Sequence, residues 1–327
     1  MSSYDPVPVS SSSGRRAVYQ APSHEGLITA EQFKESMRFV RMQIAVPISV
    51  LIAMGANLVC ALALKPGLAG INVRYPTLVS PNSIMIGLYW AVLYCLQVGF
   101  CLVLLLARKD VTKETLVYGV GIRFAVANWL LAAWAVSFTL QAFAVAEILI
   151  LLNVVNLLTI HLTLLKYPPT MKRPLDTIFI HAPMALLLAI LFEVDWVHNG
   201  FIALNWRIHD RSDRDDYTWQ AVAFIASVNI VAALWEGIRR QYLMTGASIY
   251  LLFTLMFASP RGDPDLPSSA LPKPTPVLVV SIACLVLHVV ALIAGLAWKR
   301  MRDREGRIRL EEEVERMERE EYEARDH

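Results

Sequence analysis

Long runs of apolar residues, separated by short polar segments, dominate the pattern along the chain. Three of these runs, 44–64, 84–107 and 124–143, contain no charged residue. A helix needs about 20 apolar residues to cross the ~30 Å hydrocarbon core of a bilayer. Each run is long enough, so the pattern predicts membrane-spanning helices.

The same pattern, followed over the whole chain, predicts eight spans. They lie at 43–64, 82–107, 122–142, 144–165, 175–197, 217–236, 241–258 and 275–298. The third and fourth spans are so close in sequence that we expect a tight hairpin. The seventh is at the short end of the length that crosses a bilayer. The expected fold class is all-α, a polytopic transmembrane helix bundle of about eight spans.

Polar segments flank this bundle, which occupies 43–298. In residues 1–42, a Ser- and Pro-rich composition predicts a disordered tail, which is followed by a predicted basic amphipathic helix. A helical extension of the first span explains this second part equally well. Residues 299–327 predict a charged cytosolic helix. Its single thin apolar line leaves two alternatives open, a solvated helix and a coil that binds a cytosolic protein partner.

The distribution of charge predicts the topology. If the N-terminus is cytosolic, about three quarters of the 30 lysines and arginines fall on the cytosolic side, as the positive-inside rule requires. Both termini are then expected in the cytosol. The composition, 56% hydrophobic and 18% charged, fits a membrane protein. The cysteines lie in apolar runs without ligand spacing, so we expect no metal site, and nothing predicts a nucleic-acid partner.

Polar and aromatic residues inside the spans form a first candidate site. They occur in spans two, three and four: Trp90, Tyr94, Gln97, Trp134, Asn153 and Asn156. The three from span two share one helix face, and so do the two asparagines of span four. A pocket between these helices is suited to a flat or amphipathic ligand. The alternative is that the amides only form hydrogen bonds between helices.

A second candidate site is the polar cluster at the non-cytosolic rim, Glu147, Glu193, Asp195 and His198. Such residues can serve as acid and base in catalysis. On a helix, however, Asp195 and His198 share a face whereas Glu193 points away. The alternative is a solvated surface.

Motifs of catalysis are missing from the sequence: there is no Gly-x-Ser-x-Gly, zincin or phosphate-binding loop. The scarcity of charge within the spans argues against a proton relay. We therefore expect a membrane protein that binds or moves a small apolar ligand, and no cofactor is indicated. The alternatives are a lipid-modifying enzyme that uses the rim cluster and a scaffold with a partner-binding tail.

Short motifs in spans two and three resemble the translocator protein, or tryptophan-rich sensory protein, family. Residues 90–94, Trp-Ala-Val-Leu-Tyr, match that family's Trp-x-x-Leu-Tyr, and Pro81 precedes them. Asn128, Trp129 and Trp134 are similar to its Leu-Asn-x-x-Trp, with altered spacing. The resemblance covers about the first 200 residues. It implies a five-helix bundle that binds tetrapyrroles and sterol-like molecules in a Trp-rich pocket. The whole chain also resembles multi-pass membrane proteins of unknown function from filamentous fungi, which implies no activity.

Overall fold

The computed structural model describes residues 30–170, 172–208, 215–258 and 273–325 of the chain. Within these ranges the regular structure is helical and contains no strand. The predicted disordered tail at the N-terminus lies outside the described residues. The all-α fold class that the apolar runs predict is confirmed.

The helices have the following bounds in chain order. They are α1 (Ala30–Leu62), α2 (Leu68–Arg74), α3 (Ser83–Leu106), α4 (Asp110–Val120), α5 (Arg123–Thr139), α6 (Phe143–Leu164), α7 (Pro174–Ala203), α8 (Thr218–Arg239), α9 (Tyr242–Met256) and α10 (Thr275–Arg325). Each predicted span corresponds to one helix of this set. The short α2 and α4 fall in segments that the pattern assigns to loops.

Length and composition divide the predicted spans into three kinds. In the described residues, six helices are long and apolar enough to cross a membrane: α1, α3, α6, α7, α8 and α10. Helices α4 and α5 meet at a 50° bend and make a seventh if they cross as one span. Helix α9 has only 15 residues, fewer than a full crossing needs. The count of eight therefore stays a prediction, and it depends on α9.

The bend between α4 and α5 has a local cause. Gly121 has a φ of +64°, a backbone conformation that only glycine adopts without strain. Helix α4 also ends in a π-helical turn, Thr115–Val120. Because two irregular features coincide here, the chain changes direction just before the third predicted span.

The ends of the bundle are continuous with their flanking helices. Helix α1 contains both the basic segment and the first span, as the helical-extension alternative requires. Helix α10 runs for 51 residues and contains both the last span and the charged tail. The described chain divides into a unit that ends at Arg38 and one that begins at Phe39. Helices α2 to α10 lie wholly in the second unit.

Two helix pairs show how the bundle packs. Helices α5 and α6 are joined by three residues, 140–142, so the predicted hairpin is confirmed. Helices α8 and α10 approach closely because small residues meet. A Cβ atom on Gly237 would lie 2.7 Å from the Ala291 carbonyl oxygen, and one on Gly295 would clash with the Gly237 backbone. Close contact through small residues is typical of membrane helices.

Candidate functional site

A cavity of about 340 Å³ lies at the end of the bundle that the charge pattern assigns to the non-cytosolic side. Its walls are the C-terminal half of α1, helix α2, the N-terminal half of α3, and the C-terminal ends of α5 and α7. Small-molecule sites in proteins have volumes of roughly 300–1,000 Å³ and mostly apolar walls with a few polar groups. This cavity agrees with both criteria.

One wall of the cavity is a continuous aromatic surface. The Trp90 and Trp134 rings stack with centroids 6.4 Å apart and planes inclined by 20°. Tyr94 extends this surface along α3, 5.6 Å from Trp90, and Phe138 extends it along α5, 5.7 Å from Trp134. Each pair is four residues apart on its helix, so both rings lie on one face. Offset aromatic faces of this kind favour a flat ring as ligand.

Unpartnered polar atoms lie among the lining residues. The Trp134 Nε1, Asp195 Oδ2 and Asn199 Oδ1 atoms are buried and have no hydrogen-bond partner among the described residues. The Tyr94 hydroxyl is near Asn57 but makes no hydrogen bond of normal geometry there. A buried polar atom without a partner costs about 1–3 kcal/mol. A bound molecule would remove that cost only where the side chain turns its unpartnered atom towards the cavity.

His198 connects the cavity wall to helix α2. Its Nε2 lies 2.9 Å from Asn72 Oδ1, and its Nδ1 lies 3.1 Å from Thr77 Oγ1. The amide oxygen can only accept, so the proton is on Nε2 and the Thr77 hydroxyl donates to Nδ1 in the neutral ring. Both ring nitrogens are therefore satisfied, and Asn72 is held in position at the end of the cavity.

A lysine continues this chain of hydrogen bonds. Ser80 Oγ lies 3.1 Å from Thr77 Oγ1, and Lys273 Nζ donates to the Ser80 carbonyl oxygen at 3.2 Å. Lys273 precedes α10 and is buried. Burial lowers the pKa of its ammonium group to about 7, because the charged form loses its hydration.

The start of α3 is fixed by a helix cap. The Asn82 side-chain oxygen accepts hydrogen bonds from the backbone N–H groups of Ile84 and Met85, at 3.1 and 3.2 Å. Its amide nitrogen donates to the carbonyl oxygen of Phe257, just after α9. The cap therefore sets the position of Trp90 and Tyr94, which follow two and three turns later.

The cavity opens towards the bilayer. Leu58 of α1 lines it and is 57% exposed, and the lining residues Ala61, Gly87 and Ala91 are exposed as well. These residues belong to facing parts of α1 and α3. The gap between the two helices is therefore a lateral opening at the side of the bundle, within the predicted spans.

The two predicted sites partly merge in this cavity. Trp90, Tyr94 and Trp134 from the first set line it together with Asp195 and His198 from the rim cluster. The sequence does not single out Asn57, Asn72, Phe138 and Asn199, which also line it. The available signals were an asparagine within the charge-free run of span one and the four-residue spacing of Phe138 from Trp134.

The other residues of the first set lie outside the cavity lining. Asn153 Nδ2 donates to the Ala127 carbonyl oxygen at 3.0 Å, and Asn156 Nδ2 donates to the Arg123 carbonyl oxygen at 2.9 Å. Both bonds join α6 to α5, which is the interhelical role that the sequence leaves open. Gln97 is fully buried, and its amide has no partner among the described residues.

The other two residues of the rim cluster point elsewhere. Glu147 Oε2 accepts a hydrogen bond of 2.7 Å from Asn199 Nδ2, so it lies behind the lining. Glu193 contacts Ser248 of α9. No group of three or more His, Cys, Asp or Glu residues able to hold a metal ion occurs in the described part of the chain.

Residues 43–297 match a family model that is described as TSPO-like protein. The chain belongs to the TSPO-like protein family. No curated protein and no solved structure matches the chain. The match confirms that this TSPO-like protein resembles the translocator protein family, as its Trp-Ala-Val-Leu-Tyr motif indicates. The match also extends through the last span, well beyond the first 200 or so residues to which the motifs pointed. The family match and the apolar helices together show that it is a multi-pass membrane protein in contact with the lipid bilayer.

Proposed function

We propose that this TSPO-like protein binds a flat, mostly apolar small molecule that carries at least one hydrogen-bonding group. The observation that supports the proposal is the pairing of an aromatic wall with unpartnered polar atoms in one cavity. Rings of the ligand stack on Trp90 and Trp134. Its polar group meets the side chain of Asp195 or Asn72, which line the cavity and are partly exposed.

The lateral opening supports the proposal that the ligand is dissolved in the membrane. A molecule too apolar to be abundant in water reaches the cavity between α1 and α3 without leaving the lipid. Tetrapyrroles and sterols, the ligands implied by the translocator-protein resemblance, are polycyclic molecules with a polar group and fit this description. They are the natural probes.

Binding is better supported than catalysis. The enzyme alternative needs Glu147, Glu193, Asp195 and His198 around one cavity, but only Asp195 and His198 line it. His198 also has both ring nitrogens engaged in hydrogen bonds. Beside Asp195, the lining offers only the engaged His198 ring and the Tyr94 phenol as a second acid or base.

Gly87 provides a direct test of the cavity. It lines the cavity, and a Cβ atom added there meets no atom within 4 Å. The side chain of Gly87→Leu therefore starts in open space, and we expect it to obstruct the cavity at its lateral opening. Gly55 of α1 is the matched control, since a Cβ atom there also meets nothing within 4 Å and the residue is not in the lining.

The experiment titrates protoporphyrin IX and cholesterol, separately, into the full chain reconstituted in lipid nanodiscs. We expect the wild type and Gly55→Leu to bind at least one probe with equal affinity, and Gly87→Leu to bind it at least tenfold more weakly. Unaltered binding by Gly87→Leu would place the ligand outside the cavity. If the wild type binds neither probe, the proposed ligand class is wrong.

A further inference from the structure

A second buried polar cluster, separate from the cavity, joins helices α7, α8, α9 and α10. Ser248 Oγ lies 2.5 Å from Glu193 Oε1 and 2.8 Å from Glu236 Oε1. His288 Nδ1 lies 2.7 Å from Glu236 Oε2, and His288 Nε2 lies 3.0 Å from Asn229 Oδ1. Glu236, Ser248 and His288 are completely buried, and Glu193 is 4% exposed.

The hydrogens around Ser248 can be counted. Three oxygens surround its hydroxyl: Glu193 Oε1, Glu236 Oε1 and the Met244 carbonyl, the last at 3.0 Å. A hydroxyl has one hydrogen to donate, and an ionised carboxylate has none. If both glutamates were ionised, three acceptors would compete for that hydrogen. At least one of the two carboxyl groups therefore holds a proton and donates it to Ser248 Oγ.

The position of His288 indicates which carboxyl group this is. Asn229 Nδ2 donates to the Ile225 carbonyl at 2.8 Å, so Asn229 Oδ1 accepts from His288 Nε2. In the imidazolium form of His288, Nδ1 also donates to Glu236, and this charge-assisted pair stabilises Glu236 as a carboxylate. Glu193 has no cationic partner in the described part of the chain, and its Oε2 is buried without a hydrogen bond. An isolated charge at such a position is costly in lipid, which favours protonated Glu193.

We propose that Glu193, Ser248, Glu236 and His288 form a proton-binding site inside the helix bundle, with the exchangeable proton on Glu193. The donations then run in one direction, from Glu193 to Ser248 and from Ser248 to Glu236, which also accepts from His288. Every hydrogen has an acceptor, and the cluster is neutral. Loss of the proton leaves one net negative charge in the bundle.

Other titratable groups are within electrostatic reach of Glu193. They are Glu236 on α8, Cys284 on α10 and Tyr89 on α3, and Tyr89 is also within reach of Asp195. The Tyr89 hydroxyl donates to the Leu186 carbonyl oxygen at 2.7 Å and is not available to neutralise Glu193. None of the three brings a positive charge, and His288 is already paired with Glu236, so no neighbour named here neutralises an ionised Glu193.

Infrared difference spectroscopy of the full chain in lipid films tests this site. A protonated carboxylic acid has a carbonyl-stretching band that is separate from the bands of carboxylates and amides and shifts in heavy water. We expect the wild type to show such a band at neutral pH and to lose it reversibly as the pH is raised. Glu193→Gln, which preserves shape and can still donate to Ser248, should lose the part of the band that Glu193 contributes, and any band that Asp195 contributes should remain.

Glu147→Gln is the control for another buried carboxylate, and it should leave the Glu193 band in place. A titrating band in Glu193→Gln that is as intense as in the wild type would overturn the assignment. A Glu193 band that responds neither to heavy water nor to pH would reduce the cluster to a fixed link between helices. Glu193→Gln should bind the porphyrin or sterol probe as the wild type does, so failure here is distinct from failure of the cavity proposal.

Discussion

Glu193 and Asp195 lie two residues apart in the π-helical turn Leu191–Asp195 of α7, and their side chains belong to different sites. Glu193 contacts Ser248 in the buried cluster, whereas Asp195 lines the cavity. A π-helical turn inserts an extra residue into an α-helix and is frequent at functional sites. One short stretch of backbone thus positions an acidic group for each site.

The stacking of Trp90 on Trp134 predicts a large effect of Trp90→Ala on binding. The substitution removes a ring face and part of the apolar wall, and aromatic stacking adds about 0.5–1.5 kcal/mol to the burial of area. We expect at least roughly tenfold weaker binding of the probe in nanodiscs, equal to about 1.4 kcal/mol.

Trp129 is the matched control for Trp90. It is 51% exposed and does not line the cavity, so Trp129→Ala should bind like the wild type. Equal losses in the two variants would mean that general destabilisation, and not the aromatic wall, controls the affinity.

The hydrogen bond from Asn156 to the Arg123 carbonyl predicts a change in stability without a change in binding. Asn156→Ala removes a bond between α6 and α5, and such bonds in membrane proteins are worth about 0.6–2 kcal/mol. The melting temperature in detergent should fall by a few degrees, while the probe affinity measured in nanodiscs stays the same. Loss of affinity at full stability would instead assign Asn156 to the ligand.

The contact between α8 and α10 predicts that Gly295→Ala is destabilising. Its Cβ atom would clash with the Gly237 carbonyl oxygen, and overpacking of this kind typically costs about 1–3 kcal/mol. Gly246→Ala of α9 is the control, because a Cβ atom there meets nothing within 4 Å. We expect a melting temperature several degrees lower for Gly295→Ala only. Comparable melting of both variants would show that the two helices do not depend on this approach.

The burial of the Lys273 ammonium group predicts how the stability of the protein changes with pH. Its pKa in the folded protein is lowered to about 7 by burial, whereas an unfolded lysine titrates near 10.4. Below about pH 7 folding carries the full cost of burying the charge, and that cost disappears between about pH 7 and pH 10. The contribution of Lys273 to stability should therefore rise with pH over this interval, by a few kcal/mol at most.

The measurement for Lys273 is the melting temperature over this pH range, compared with Lys273→Met. Methionine keeps much of the apolar stem and cannot titrate. The difference between wild type and variant should shrink as the pH rises from about 7 to about 10. A difference that does not depend on pH would show that Lys273 is already neutral, or is solvated, at neutral pH.

Residue patterns predict the fold well because a membrane imposes a length on each helix. The spacing of Trp90 and Tyr94 is likewise enough to place both on one face. The role of Asn153 and Asn156 is different, since it depends on which face of α6 packs against α5. Such packing is decided by contacts between distant segments and leaves no periodic signal in either helix.

The buried cluster shows the same limit more strongly. His288 and Glu236 are 52 residues apart in the sequence and lie on different helices. The sequence therefore indicates little charge within the spans, whereas folding collects Glu193, Glu236 and His288 around one serine. The π-helical turn that directs Glu193 there is also invisible to a pattern of 3.6 residues per turn.

The opening between α1 and α3 changes which concentration governs occupancy of the cavity. A molecule that arrives sideways, past Leu58 and Gly87, is in equilibrium with its mole fraction in the lipid and only indirectly with the aqueous solution. The total amount of ligand needed for half-saturation should then rise in proportion to the amount of lipid present. Detergent, which both dilutes the ligand and can occupy the same gap, should then lower the apparent affinity for the proposed ligand relative to a bilayer.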